Sequence, residues 1–283
     1  MSFSSQVKNE LAHRVSRKSC CQVAELSAII RMDGSLKISS HPQGYALRLS
    51  MENAAVARRA IKLFADIFGL RAEVTVRRSR LSKRNNYLIE IKEHPKASAE
   101  KEDVSKSMRP SVDGSPDEGG YVLMRERNEA EDNGADWIFG CAPRLSQALN
   151  ELGILDDSLT VRYDITPRLI RKSCCAVAYL RGLFMGGGFV SDPTGSYHFE
   201  LVTDNYTLAN DAKTLMTRFN LNPKISSRKH NLMLYLKGAD QIIQLMALIG
   251  AHTALLKWED TRILKGMRAS VNRLVNCDTA NLN

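Results

Sequence analysis

The chain has 283 residues, of which 43% are hydrophobic and 25% charged, and its formal net charge is +9. That balance is the one expected of a water-soluble globular protein long enough to bury a substantial core. The longest apolar run, "LMALIGAHTALL", is broken by Gly250 and His252, which argues against a membrane span, and "MSFSSQVKNELAHR" lacks the apolar centre of a secretory signal. A cytoplasmic chain without a membrane partner is the expectation.

In chain order, the first strong feature is the pentapeptide "RKSCC" (17–21), which opens an apolar helical stretch ending at "LSAIIRMDG" (26–34). Strict alternation follows: Tyr45, Leu47, Leu49 and Met51 point one way, Ala46, Arg48, Ser50 and Glu52 the other. Val56, Ala60, Leu63, Phe64 and Ile67 then recur at helical spacing. "AEVTVRR" and "YLIEIK" alternate again and make a second hairpin. Residues 94–136 hold eleven acidic residues against six basic ones, with Pro95, Pro110 and Pro116, and predict a mobile acidic insertion. Its acidity leaves the rest of the chain more basic than the total suggests. "PRLSQALNELGI" (143–154) predicts a third helix.

The same order then repeats from "RKSCC" at 171–175. Residues 20–39 lie over 174–193 without a gap, 47–78 over 199–230, and 86–93 over 231–238. This is an internal duplication. Each copy predicts helix, hairpin, helix, hairpin, helix, an α+β unit in which helices cover one face of a four-stranded sheet. "ADQIIQLMALIGAHTALLKWE" is expected to be the third helix of the second copy. The tail beyond it is expected to be helical to about Arg273, with Ile263, Met267, Val271 and Leu274 at core spacing. The predicted domains are 1–93, the insertion 94–136, a helix and linker at 137–168, the second copy at 169–258 and a basic helix at 259–283.

Four of the six cysteines are in adjacent pairs, Cys20–Cys21 and Cys174–Cys175. A four-thiolate zinc site is one reading. Structural zinc ligands, however, usually lie two to four residues apart, so packed thiols on a helix face are expected, with no metal or cofactor.

"LSAIIRMDG" and "LRGLFMGGG" resemble the LAGLIDADG helix of homing endonucleases. The chain as a whole resembles the WhiA family of bacterial cell-division and sporulation regulators, through "KNEL", the "CC…AELSAIIR" run, "YLRG" with its following glycines, "DPTGSYHFEL", "LIGAHTALLKWEDTR" and "NRLVNCDTANL". The resemblance implies two tandem LAGLIDADG-like repeats with pseudo-twofold symmetry, forming a saddle on duplex DNA. It also implies a role in transcription regulation during cell division, chromosome segregation or sporulation, close to the nucleoid. Ala24, Ala28 and Met32, and Ala178, Gly182 and Gly186, recur four apart and allow close helix approach, the expected inter-repeat seam. Nucleases of that fold place one acid at the base of each seam helix. Here the first is Asp33, but the second position is Gly187, so no enzyme activity and no metal are expected.

The expected partner is double-stranded DNA at promoter regions, together with other transcription regulators. Arg77, Arg78, Arg80, Lys83 and Arg84 cluster at one hairpin turn, Arg228 and Lys229 at its equivalent, and Arg262, Lys265 and Arg268 along the last helix. The resemblance also implies a helix-turn-helix domain after the segment matching "NCDTANL", absent from this chain. That leaves an alternative, a protein-interaction scaffold whose DNA contacts are made elsewhere.

Overall fold

The computed structural model describes residues 2–38, 45–78, 85–92, 145–229 and 231–281. The predicted insertion, and with it the N-terminal end of the helix expected at 143–154, lies outside these residues. Helix α1 (Phe3–His13) starts under the Ser2 side chain, which accepts from Ser5 N–H, and buries Val7 and Leu11. Helix α2 (Ser19–Asp33) ends at Gly34, whose N–H returns to the Ile30 carbonyl. Strands β1 (Gly34–Ile38) and β2 (Tyr45–Met51) form the first hairpin. Helix α3 (Ala54–Phe68) is capped by Asn53 and closed by Gly69, whose φ of 63° is left-handed backbone that glycine adopts without strain. Strands β3 (Glu73–Arg78) and β4 (Asn85–Lys92) complete the first sheet, and α4 (Leu145–Glu151) the first repeat.

After the short α5 (Pro167–Ile170), the second repeat runs through α6 (Ser173–Gly187), β5 (Gly188–Val190) and β6 (His198–Thr203). It continues with α7 (Tyr206–Thr217), β7 (Lys224–Arg228), β8 (Asn231–Lys237) and α8 (Ala239–Ile249). Asn205 caps α7 from the position Asn53 holds on α3. Both sheets are antiparallel and share one strand order, β1-β2-β4-β3 and β5-β6-β8-β7.

The alternation seen in the sequence sorts the faces. Leu47, Leu49 and Met51 of β2 pair with Ile91, Ile89 and Tyr87 of β4, and all but Tyr87 are fully sequestered under the helices. Lys37, Arg48, Thr75, Arg77, Asn86, Glu90 and Lys92 therefore share the opposite, outer face. In the second sheet the outer set includes His198, Glu200, Tyr235, Lys237, Lys224 and Arg228. On α3, Val56, Ala60, Leu63 and Phe64 are buried and Ile67 partly so.

Two expectations are corrected. The stretch 239–259 is two helices, because Gly250 takes φ 93° and ends α8; α9 (His252–Asn281) starts afresh, its first N–H groups at Thr253 and Ala254 donating to the Glu10 carboxylate at 2.7 and 3.0 Å. The tail is helical well past Arg273, but its apolar spacing does not mark a core: Ile263, Met267, Val271 and Leu274 are 58–66% exposed. Trp258, fully enclosed against Tyr197, is the last buried residue of α9. Periodicity defines a helix face; it does not supply an element to cover it.

Candidate nucleic-acid interface

The two outer faces belong to one unit because α2 and α6 are packed along the stripe of small residues. Ala24, Ala28 and Ala178 are essentially inaccessible. A β-carbon on Gly182 would meet the Glu25 carbonyl oxygen and stand 2.7 Å from the Ala28 methyl; one on Gly186 would stand 2.5 Å from Met32 Cβ. Only glycine fits at either position without moving a helix.

Polar groups fasten the same seam. Glu25 is fully buried on α2; its carboxylate accepts from Arg59 Nε of α3 at 2.7 Å and from Arg181 Nη1 of α6 at 3.1 Å. Arg181 Nε also donates to the Ile249 carbonyl at 2.8 Å, tying in the end of α8. On the other flank, Arg31 donates to the carbonyls of Arg162 and Gly153 at 2.8 and 2.6 Å. All of these bonds are charge-assisted, and those of Glu25 and Arg181 are shielded from water, the condition in which they contribute most.

At the base of the seam, Asp33 and Gly187 are the last residues of α2 and α6 and occupy equivalent positions. They border a cleft of about 1210 Å³ together with Lys8, Glu52, Arg78, Asn85 and Asn86. A side chain at Gly187 would run into the Met32 methyl and come within 3.1 Å of the Val202 carbonyl oxygen. A carboxylate there would require the flexible Met32 side chain to swing aside. Lys8, on α1, enters the same place: its Nζ donates to the Gly186 carbonyl at 3.1 Å, and its charge is felt by Asp33. One lysine cation thus stands beside the acid at the base of α2, where α6 offers a glycine and a metal would need an acid from each repeat. Burial pushes Lys8 down, while Asp33 and Glu52 pull it up.

Burial also pushes the Asp33 carboxyl up to about 7, against the pull of Lys8 and with help from Glu52. The folded protein therefore holds a proton that the unfolded chain releases near 3.8, and stability falls as pH rises from about 4 to about 7. Asp33→Asn is expected to be more stable than the parent at pH 8 by roughly 2–4 kcal/mol, a gap that closes toward pH 4. Urea unfolding at both pH values checks this.

The predicted cations fall into three groups. Arg77 and Arg78, at the end of β3, and Arg228, at the end of β7, with Lys229 following it, are exposed at equivalent ends of the two second hairpins, with Arg78 also lining the cleft. Arg80, Lys83 and Arg84 lie outside the described residues. On α9, Arg262 is held by Asp240 at 2.8 Å, and Lys265 donates to the Gly195 carbonyl at 2.8 Å while covering the Tyr197 ring; Arg268 is exposed. Within the first sheet, Arg48 pairs with Glu90 at 3.3 Å and Lys92 with Glu73 at 2.9 Å. Cations already paired across the sheet offer less to a phosphate than the hairpin ends do.

Lys8, Glu25, Arg59 and Arg181 were not singled out from the sequence. The one available signal was an acid and two arginines at positions whose helical neighbours are apolar. Among the described residues no helix is long and apolar enough to cross a membrane.

These features define two tandem LAGLIDADG-like domains sharing a helix seam. Comparison with known proteins agrees. The model of the WhiA N-terminal LAGLIDADG-like domain matches residues 19–104, and that of the WhiA LAGLIDADG-like domain matches residues 176–268. The chain belongs to the WhiA family. It is similar to the probable cell division protein WhiA of Heliobacterium modesticaldum, 39% identical over 100% of this chain and 74% of that one. Its similarity to the protein of the same description from Desulforamulus reducens is 42% identity over 100% and 73%. The crystal structure of full-length DUF199/WhiA from Thermatoga maritima shares the fold, with a TM-score of 0.60 at 17% identity over 98% of this chain and 75% of that one.

Proposed function

We propose that the chain is the duplex-DNA-binding scaffold of a regulator acting in cell division, and that it binds DNA without cutting it. The observation that carries this reading is the recurrence of exposed cations, Arg77 and Arg78 in one repeat and Arg228 and Lys229 in the other, at symmetry-related hairpin ends. A pseudo-twofold pair of cationic points suits the two strands of a duplex, whose backbones are themselves related by twofold axes. The carboxylates Glu73 and Glu90 on the first outer face oppose close approach of that face to the duplex, leaving contact to the cations at the hairpin ends and to shape. Target promoters and further regulators would then be selected by interactions beyond this surface.

Absence of cleavage follows, in this reading, from the base of the seam. Two-sided metal ligation needs an acid from each repeat, and Gly187 has no side chain while Lys8 supplies a competing positive charge. Supercoiled plasmid incubated with Mg²⁺ or Mn²⁺ is expected to stay intact. Nicking that vanishes in Asp33→Ala contradicts the non-cleaving reading.

DNA affinity should be salt-dependent. Measured by fluorescence anisotropy with an unspecific duplex, the slope of log K against log salt is expected to shrink by about 2–4 on changing Arg77, Arg78, Arg228 and Lys229 together to alanine, about 0.9 per lost phosphate contact. No binding even at low salt would instead favour a protein-interaction scaffold.

A further inference from the structure

The end of the seam formed by the helix N-termini gathers cysteines that the proposed function leaves unused. The Sγ atoms of Cys20, Cys21 and Cys175 all lie within 4.8 Å of one another, and those of Cys21 and Cys175 are 4.0 Å apart. Cys174, next to Cys175 in the first turn of α6, borders the group, and its thiol is felt by that of Cys21. Cys21 and Cys175 are buried, Cys20 half-buried and Cys174 exposed, so the cluster has an inner wall and an open side through which an ion could enter.

We propose that this cluster is a binding site for one Zn²⁺ ion, held by Cys20, Cys21 and Cys175 with Cys174 as the fourth thiolate. Two thiolates on a tetrahedral zinc, each at about 2.3 Å, stand about 3.8 Å apart. Cys21 and Cys175 are already close to that separation, and their pairs with Cys20 need to contract by at most about 1 Å; Cys174, outside this trio, would swing in by rotation of its exposed side chain. Charge is matched as well. Four thiolates on Zn²⁺ leave a net negative complex, and it sits in the first turns of α2 and α6, directly after Arg17, Lys18, Arg171 and Lys172. Neither helix has a side-chain cap, so the positive ends of both dipoles face the sulfurs.

Burial pushes the Cys21 thiol up to about 11 and raises that of Cys175. Without an ion these groups are therefore neutral. Each thiol that coordinates gives up its proton to solvent, so uptake releases protons and weakens as pH falls. Because the ligands come from both repeats, the ion would staple the two seam helices at the end opposite Asp33 and Lys8. Ligand spacing along the chain conceals such a site: the two halves are 154 residues apart and meet only through the pseudo-twofold axis.

The test uses the whole chain, reduced and stripped by a chelator, titrated with Zn²⁺ against a chromophoric competitor, with metal content measured by mass spectrometry. One ion per chain is expected, with affinity weakened at least about 100-fold in Cys21→Ser and Cys175→Ser and unchanged in Cys277→Ser, whose thiol is exposed on α9. Should the buried variants fail to fold, the outer pair Cys20→Ser and Cys174→Ser gives the same readout, and Zn²⁺ should slow alkylation of all four thiols in the parent chain. The proposal is overturned if the reduced chain takes up no stoichiometric Zn²⁺, or if uptake survives loss of Cys20 and Cys174 together with unprotected thiols.

Discussion

Glu25→Ala should lower stability by about 3–5 kcal/mol, among the largest effects of any single substitution in this chain. The change leaves two guanidinium groups, Arg59 and Arg181, buried at 2% and 7% side-chain exposure with no countercharge. The carboxylate links α2 to α3 within its own repeat and to α6 of the other, so its removal loosens the seam as well as the first repeat. Chemical unfolding followed by circular dichroism measures the loss. Two companion variants separate charge from packing. Glu25→Gln keeps one acceptor and should cost less than alanine. Replacing Glu25, Arg59 and Arg181 together by Leu, Met and Met should recover most of the loss, because no uncompensated charge remains. A Glu25→Ala chain as stable as the parent would show that the triad is not sequestered as described.

Gly182→Leu is the second. Its β-carbon alone would strike the Glu25 carbonyl oxygen, which is backbone and cannot rotate away, and the remaining side chain would have to wedge α2 from α6. Gly182→Ala is expected to cost about 1–3 kcal/mol, and the leucine variant more than that. A control isolates the steric cause: a β-carbon at Gly266, in α9, meets nothing, so Gly266→Ala should stabilise that helix by up to about 1 kcal/mol. Thermal melts of the three variants suffice. Equal behaviour of Gly182→Ala and Gly266→Ala would mean that the seam is not closely packed.

Local rules were legible in the sequence. Strand faces follow from alternation, because side chains on a strand have no choice but to alternate, and the Val56–Phe64 stripe of α3 follows from helical pitch. The duplication supplied the rest of the architecture: once "RKSCC" appears twice, the two strand orders must correspond. What stayed hidden was whatever depends on a partner distant in sequence. The apolar spacing of α9 is genuine, yet only coordinates show that Met267 and Leu274 lie on an uncovered face. Gly250 was visible in the middle of a helical run, but so was Gly182, and composition does not say which glycine takes a left-handed φ. The site followed the same division. Asp33 and its lost counterpart at Gly187 could be found from the repeat offset, whereas Lys8 reaches them from a helix that has no copy in the second repeat.

The stability effects and the functional proposal meet at one point: a rigid seam matters if it holds two cationic hairpins at a fixed separation. Hydrogen exchange of the whole chain with and without a duplex tests that most directly. The account predicts protection on DNA addition at the hairpin ends, around Arg77–Arg78 of β3 and Arg228–Lys229 at the end of β7, in both repeats together. Protection confined to α9, or to the hairpin of a single repeat, would contradict it.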